Sequence, residues 1–304
     1  MTNPAVQAQR PAFTLLELLV AVAVVAIALA LTIPAVQSAR AQSRRLACSN
    51  NLRQVSVASQ TYESTHGLFF GGPRVFRSLL PMLGVPDGVP LDGAIARLSA
   101  SPESTLCPSD EHADAGQLHG SYRVCDGDAR ARHRGLRRPY GSLPAAAVTD
   151  GLSMTAAFSE RLITPDDRLD RTGRPRLVPA DADPRFIRWW LPRKATSPED
   201  RISLCLRREG PAEPLLRILN AGFTTHEQTF DTGLPPNVPG CLGAMSGDLT
   251  GAFAEVQVVP ASSRHGGANV AMGDGAVRFV SDGVDAGVWT AAGTAAGGEL
   301  SDVF

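Results

Sequence analysis

The sequence predicts an α+β protein in which a long, kinked N-terminal helix, half transmembrane and half amphipathic, packs on a predominantly antiparallel β head domain. Three observations support this fold class: an uncharged apolar run over residues 18–33, an apolar stripe at helical spacing over residues 48–62, and short β-like runs between Gly and Pro residues in the remainder. The 304 residues therefore divide into a short N-terminal segment (1–12), a helix (13–62) and a head domain (63–304).

The apolar run is long enough to cross a membrane. Residues 13–36 contain one charge, Glu17, and a helix of this length reaches roughly 36 Å, more than the hydrocarbon layer of a bilayer. The alternative is a buried helix of a soluble protein, but apolar residues on every face favour the lipid bilayer. Since a carboxylate in lipid costs on the order of 2.5–3.5 kcal/mol, we expect Glu17 to have a specific role.

The helix is predicted to continue beyond the membrane. Pro34 would kink it without ending it, and His66-Gly67 is typical of a helix end. The outer half carries a stripe on one face, at spacings of four and three residues, formed by Cys48, Leu52, Val55, Ser59 and Tyr62. We expect this stripe to dock on the head domain.

The head domain is predicted from short strands, because no segment after Tyr62 shows a long helical period. Residues 185–190 and 253–259 each have a strand-like pattern. The clearest unit is a β-hairpin formed by residues 269–272 and 276–280 around the turn Gly273-Asp274-Gly275. Residues 165–184, rich in Asp, Arg and Pro, are typical of a surface excursion.

Charge argues against a nucleic-acid-binding protein. The formal net charge of -1 gives no general attraction to nucleic acid or to an anionic surface, so no nucleic-acid partner is expected. Five arginines crowd residues 130–138, but the segment lacks a series of aromatic residues on which bases could stack. We interpret it as an exposed basic loop.

The cysteines predict disulfides rather than a zinc knuckle. None of them forms a CxxC pair, and their wide spacing suits an oxidising compartment. An odd number leaves at least one unpaired within the chain, and two bridges among five allow fifteen arrangements. The sequence does not choose among them. The five residues are Cys48, Cys107, Cys125, Cys205 and Cys241.

Catalytic chemistry has one candidate pair, His265 and Asp274, which could bind a metal or act as an acid and a base. The structural interpretation is that His265 builds a tight loop before the hairpin and that Asp274 accepts turn hydrogen bonds. We favour it because no nucleophile elbow or His-Glu-x-x-His pattern appears in the chain. We therefore predict no catalytic residue, no metal site and no cofactor, in a protein that is not an enzyme.

Residues 13–20 (FTLLELLV) resemble the N-terminal methylation motif of prepilins. In that family a prepilin peptidase cuts just before the Phe, and the new terminus is methylated. The resemblance implies processing between Ala12 and Phe13, with Ala12 in place of the usual Gly. Glu17 is the fifth residue after this cut and Pro34 the twenty-second, as in the family.

The same resemblance implies a role in assembly for Glu17. Its carboxylate would neutralise the terminal amine of Phe13 on a neighbouring subunit, an ion pair that apolar surroundings strengthen. That pairing would set the axial register of a filament. The alternative is that Glu17 serves only membrane insertion or recognition by the peptidase.

Motifs along the rest of the chain resemble a large bacterial family of prepilin-like proteins of unknown function with a C-terminal His-to-Asp-Gly motif. They cover residues 44–62 (RRLACSNNLRQVSVASQTY), 107–110 (CPSD), 149–155 (TDGLSMT), 234–237 (LPPN) and 262–267 (SSRHGG). Eight residues separate the His from the Asp here, whereas the family usually has nine. We interpret the following family-motif residues as structural: Cys107, Asp110, His265, Asp274 and Gly275.

The resemblance implies a pilin-like or pseudopilin-like subunit, structural or adhesive, of the kind used in type IV pili and type II secretion. It would cross the inner membrane once and hold its head in the periplasm or at the cell surface. Arg40, Arg44 and Arg45 follow the span, so the positive-inside rule alone favours the opposite orientation, and we give the motif more weight.

Predicted partners are the prepilin peptidase, the lipid bilayer, and further copies of the chain or other pilin-like subunits. The alternative function is a monomeric, membrane-tethered periplasmic binding protein that recognises a glycan or another envelope component. The two functions share the anchor and differ in whether Glu17 contacts a neighbour.

Overall fold

A computed structural model describes residues 14–71, 75–84, 102–113, 120–128, 134–138, 141–163, 183–191, 198–207, 212–214, 229–243 and 256–299. The chain divides into two compact units, Met1–Ser43 and Arg44–Phe304. The boundary between them falls inside the first helix.

The predicted long N-terminal helix is confirmed as α1 (Leu15–His66), which has 52 residues and contains Pro34 in its interior. It extends four residues past the predicted boundary at Tyr62 and ends at His66, as the His66-Gly67 signal indicates. Gly67 has φ +71°, a left-handed conformation that suits glycine at a helix end. In the described part of the chain, α1 is the one helix long and apolar enough to cross a membrane. The kink at Pro34 stays a prediction.

Three shorter helices follow: α2 (Val75–Leu79), α3 (Pro198–Arg207) and α4 (Ala286–Ala291). The strands of the described residues are β1 (Tyr122–Gly127), β2 (Ala156–Glu160), β3 (Ile187–Leu191), β4 (Ala212–Pro214), β5 (Thr229–Asp231), β6 (Gly240–Gly243), β7 (Val256–Val258), β8 (Gly267–Met272) and β9 (Val277–Ser281). Short 3-10 turns occupy Pro81–Leu83, Glu103–Thr105, Ala145–Ala147 and Pro184–Phe186.

The strands form two sheets. The five-stranded sheet has the order β5-β1-β2-β8-β9, and the four-stranded sheet has the order β4-β3-β6-β7. Five of the strand pairs are antiparallel, whereas β1 with β5 and β3 with β6 are parallel. The predicted α+β class with a predominantly antiparallel head is therefore confirmed, and the two parallel pairs make both sheets mixed.

The apolar stripe on the outer half of α1 packs in the main core of the head, as predicted. Cys48, Leu52 and Val55 are fully buried there, in one cluster with Phe70 and Phe158. Burying a side chain of the size of Leu stabilises a fold by about 1.5–3 kcal/mol, so the stripe holds this half of α1 on the five-stranded sheet.

A second apolar cluster lies beneath α4. Asp285 caps this helix by accepting hydrogen bonds from the backbone N–H groups of Gly287 and Val288, at 2.9 and 3.0 Å. The Trp289 indole N–H donates to the Leu234 carbonyl at 2.8 Å, and its ring stacks on Phe230. The cap and the buried indole hold α4 on this cluster, near the C-terminal end of the described residues.

The C-terminal hairpin is confirmed by the antiparallel pairing of β8 with β9. The predicted strand over residues 185–190 instead begins as a 3-10 turn, because Asp183 accepts hydrogen bonds from the backbone N–H and the guanidinium of Arg185. β3 starts only at Ile187. The ten-residue helix α3 was not predicted. Residues 253–255 and 165–182 lie outside the described residues.

Candidate functional site

The start of α1 is a reciprocal capping box between Thr14 and Glu17. The Thr14 hydroxyl accepts from the Glu17 backbone N–H at 3.2 Å, and Glu17 Oε2 accepts from the Thr14 backbone N–H and hydroxyl, both at 2.9 Å. Glu17 Oε1 has no partner among the described residues. The predicted processing pair, Ala12 and Phe13, lies outside the described residues, so its structure does not bear on cleavage.

The apolar part of α1 is exposed along its whole length. Every large apolar side chain from Leu15 to Val36 is at least about half exposed; Leu15 is 81% and Leu31 71% exposed. Such a surface is stable only in lipid or against other apolar helices. Pro34, which with Glu17 is predicted to serve assembly, lies inside this stretch.

Two disulfides join the cysteines, Cys48 to Cys107 and Cys205 to Cys241, and Cys125 is a free, buried thiol. The first bridge ties the outer half of α1 to the loop that follows the Glu103–Thr105 turn. Asn51 supports the same contact, because its side-chain amide donates to the Leu106 carbonyl at 2.7 Å. Burial raises the pKa of the Cys125 thiol, which therefore stays protonated at neutral pH.

The Cys48–Cys107 disulfide lies in a cluster of groups with ligand atoms. One atom each of Cys48, Cys107, Glu160 and His265 lies within 4.8 Å of all the others. The Cys107 sulfur is 3.9 Å from Glu160 Oε1. These four residues come from α1, from the loop before β1, from the end of β2 and from the loop before β8, and we call them the Cys–Glu–His cluster.

Glu160 is a buried carboxylate held by Asn269. Its Oε2 accepts from the Asn269 backbone N–H at 2.8 Å and its Oε1 from the Asn269 side-chain amide at 2.9 Å. Burial raises the pKa of Glu160 to about 7, against the lowering effect of these hydrogen bonds and of the Arg45 charge. The side chain is thus fixed in place with its charge poorly solvated.

His265 reaches the same cluster with an unsatisfied ring nitrogen. Its Nε2 is buried and has no hydrogen-bond partner among the described residues. Its backbone N–H donates to the Ser263 hydroxyl at 3.0 Å, which fixes the loop before β8. Burial, and then the charges of Arg45 and Arg44, lower the pKa of His265, so the neutral imidazole is favoured.

Asp110 is a buried carboxylate next to the cluster. Its oxygens accept from the backbone N–H of Ile163 at 2.8 Å, from the Ser121 hydroxyl at 3.1 Å and from the backbone N–H of His112 at 3.1 Å. Burial raises its pKa against the effect of these donors. Asp110 therefore ties the Cys107 loop to the ends of β1 and β2.

Asp274 and Gly275 lie away from His265, at the other end of β8. With a rise of about 3.3 Å per residue, the two ends of this segment are roughly 20 Å apart, so His265 and Asp274 do not form an acid–base pair. Asp274 is exposed and accepts from the Ala276 backbone N–H at 2.9 Å. Gly275 has φ +90°, and a Cβ there would approach Gln60 to 2.7 Å, so the turn needs glycine.

Two residues of this region, Glu160 and Asn269, were not predicted from the sequence as site residues. A signal was present, because Glu160 follows the apolar residues 156–158 with one serine between them, and ends a buried strand. The interpretation of residues 130–138 as a wholly exposed basic loop was wrong for two of its arginines. Arg137 is buried and pairs with Asp126 at 2.5 Å, and Arg134 pairs with the buried Asp128 at 3.1 Å.

The N-terminal motif supports a membrane-anchored subunit of the pilin or pseudopilin type. Residues 9–33 match the prokaryotic N-terminal methylation motif. Residues 37–72 and 99–287 match the family described as protein of unknown function (DUF1559), and the chain belongs to this family. The match includes all four residues of the Cys–Glu–His cluster. Neither a comparison with curated proteins nor one with solved structures found a match.

Proposed function

We propose that a prepilin peptidase processes the chain before Phe13 and that the mature protein is a structural or adhesive subunit of a pilin-like assembly. The single observation that carries this proposal is the combination, at one helix end, of the methylation motif with a carboxylate whose Oε1 has no partner among the residues that the structure describes. Glu17 Oε2 caps α1, while Oε1 remains available to the terminal amine of a neighbouring subunit.

The exposed apolar surface of α1 supports the same proposal. In a single helix of this kind, lipid covers the apolar side chains, and in a bundle of such helices the same side chains pack against each other. An unpaired Glu17 carboxylate in apolar surroundings costs free energy, and an ion pair with the terminal amine of a neighbour offsets this cost. Glu17 therefore favours the axial register that brings these two groups together. The head would then be displayed at regular intervals.

The location is part of the proposal: a single pass of the inner membrane, with the head in the periplasm or at the cell surface. The two disulfides support it, since disulfides persist in oxidising compartments and are rare in the cytosol. We propose no catalysis, because the chain carries no nucleophile elbow and no metalloprotease pattern.

The experiment compares two substitutions that separate the charge of Glu17 from its capping role. Glu17→Gln keeps an oxygen that can cap α1 but removes the charge, whereas Thr14→Ala removes the capping hydroxyl and keeps the charge. Cross-linking in membranes and sedimentation of sheared filaments measure assembly. We expect Glu17→Gln to abolish assembly with normal membrane anchoring, and Thr14→Ala to retain it. Normal assembly of Glu17→Gln would favour the alternative, a monomeric tether whose head binds a glycan or an envelope component.

A further inference from the structure

We propose that the Cys–Glu–His cluster is a redox-gated binding site for a single Zn²⁺ ion, closed by the Cys48–Cys107 disulfide and opened when that bond is reduced. The sequence predicts no metal site, because it contains no CxxC pair and no His-Glu-x-x-His pattern, and the four residues of the cluster are far apart in the chain. The proposal is independent of pilin assembly, since it concerns the head and the docked half of α1, and involves neither Glu17 nor the exposed apolar half of the helix.

The geometry of the cluster suits a tetrahedral ion. Its four ligand atoms lie within 4.8 Å of one another. With metal bonds of about 2.0–2.3 Å, the ligand atoms of a tetrahedral zinc site are roughly 3.3–3.8 Å apart. The carboxylate and the imidazole therefore need to approach the other ligands by about 1.5 Å at most. The two sulfurs, bonded at about 2.05 Å in a disulfide, move apart by roughly 1.7 Å once their bond is broken.

The donor set also suits zinc. Two thiolates, one imidazole and one carboxylate are the three ligand types that Zn²⁺ uses, and four protein ligands make a closed site. The buried Nε2 of His265 lacks a hydrogen-bond partner among the described residues, and it offers a lone pair in the neutral tautomer whose proton is on Nδ1. Coordination would satisfy an atom that otherwise costs free energy.

The surroundings hold the ligands as a metal site requires. Asn269 orients the Glu160 carboxylate with two hydrogen bonds. The Ser263 hydroxyl accepts from the His265 backbone N–H, while the Ser121 hydroxyl accepts from the Cys107 backbone N–H at 3.0 Å. Two thiolates and a carboxylate around Zn²⁺ leave one net negative charge, and the nearby Arg45 guanidinium, stacked 3.8 Å over Phe279, would offset it.

The gating step is a thiol–disulfide exchange with an external dithiol. The reductant's two thiols form a disulfide and deliver two electrons and two protons, so that the Cys48–Cys107 bond becomes two thiols. When Zn²⁺ binds, the two thiol protons leave to solvent and the thiolates coordinate the ion. The oxidised cluster lacks thiolates and therefore binds the ion far more weakly.

The test uses the full-length protein in detergent micelles, reduced with a phosphine and titrated with Co²⁺ as a spectroscopic probe without oxygen. We expect a single Co²⁺ per chain, with the visible absorption of tetrahedral cobalt bound to thiolates, displaced by added Zn²⁺. The oxidised protein should give no such absorption. An absence of the signal after reduction, or an equal signal before it, would overturn the proposal.

Variants locate the site. Cys205→Ser with Cys241→Ser, which removes the other disulfide, should keep the signal, whereas Cys48→Ser with Cys107→Ser should lose it. His265→Ala should weaken Co²⁺ binding at least about 10-fold, and Asn269→Ala, which acts only through Glu160, about 10–100-fold. Unfolding of the oxidised variants, followed by tryptophan fluorescence, checks their fold. Unchanged affinity in a folded His265→Ala variant would show adventitious binding to two thiols and refute the site.

Discussion

At the residue scale, the two aspartates of the family motifs have opposite environments. Asp110 is buried and receives three hydrogen bonds, while Asp274 is exposed and receives one from within its own turn. The same residue type thus links buried segments in one motif and stabilises a local turn in the other. A sequence motif alone does not distinguish these roles, because burial depends on what the rest of the chain places over it.

The contrast predicts different effects on stability. Asp110→Ala leaves buried donors without an acceptor and should lower the free energy of unfolding of the head by about 2–3 kcal/mol. Asp274→Ala is the matched control and should cost less than about 1 kcal/mol. Urea unfolding in detergent, followed by tryptophan fluorescence, measures both. Equal effects of the two substitutions would contradict this assignment of environments.

Asp231 predicts how the head responds to pH. Burial raises its pKa to about 7, against backbone hydrogen bonds from Val259 and Gly233 and the charge of Arg161, while Asp126 raises it further. Since the folded-state pKa lies above the ordinary value of 3.8, the folded protein binds more protons than the unfolded chain between these values. The free energy of unfolding should therefore fall as pH rises from about 4 to about 7, and then level off.

Denaturant titrations at several pH values measure this slope. Asp231→Asn should reduce it whatever it does to stability at a fixed pH, because the substituted side chain does not titrate. Glu160, whose pKa burial also raises to about 7, keeps part of the slope in the variant. A stability that rises over this window, or an unchanged slope in Asp231→Asn, would show that burial does not control these carboxyl groups.

At the scale of elements, α1 has two halves with different surroundings. The half that contains Leu31 exposes its apolar side chains, whereas Leu52 in the other half is fully buried in the head. Leu52→Ala should lower the free energy of unfolding of the head by about 2–5 kcal/mol, because it leaves a cavity in the core. Leu46→Ala, 66% exposed on the same helix, is the control and should change it by less than about 0.5 kcal/mol. Similar losses would mean that the stripe does not dock.

The Cys48–Cys107 disulfide fastens the docked half of α1 to the head. It closes a loop with a sequence separation of 59, and removing such a bridge costs about 2–5 kcal/mol. We expect Cys48→Ala with Cys107→Ala to lower the free energy of unfolding by this amount. The pair Cys205→Ala and Cys241→Ala, with a separation of 36, tests whether the effect is specific to the α1 contact. We expect a protease to cleave residues 44–66 more easily in the Cys48→Ala and Cys107→Ala variant than in the Cys205→Ala and Cys241→Ala variant. Equal cleavage of the two variants would contradict the role of the Cys48–Cys107 disulfide in fastening α1.

The elements that the sequence predicted are those with strong local signals. The long apolar run, the stripe from Cys48 onward and the glycine-rich hairpin turn each determine their structure over a short stretch. Helix α3 was missed because ten residues span fewer than three turns and its sequence mixes Asp, Arg and Ser with three aliphatic residues and a cysteine. The parallel pairing of β1 with β5 joins segments about a hundred residues apart, so no local pattern could indicate it.

Only part of the candidate site could be predicted from the sequence, for the same reason. Cys107 and His265 stood out as motif residues, but their meeting depends on Glu160 and on α1, which are distant in the chain. Single-sequence reasoning could name the two cysteines and His265, but neither Glu160 nor the cluster that the four residues form. It therefore favoured a structural interpretation of each residue taken alone.

At the scale of the whole molecule, an apolar N-terminal anchor and a disulfide-bonded head are two parts of a chain of the prepilin type. The methylation motif, the length and exposure of the apolar helix and the family match all agree with membrane anchoring. The steps that we propose for this architecture are processing before Phe13 and assembly through Glu17.

The most direct test of this account is the intact mass and N-terminal sequence of the protein extracted from membranes. We expect a mature chain that begins at Phe13 and carries one added methyl group on its terminal amine. A chain that still begins at Met1, or one cut near Ala41 so that the apolar segment is lost, would contradict prepilin-type processing.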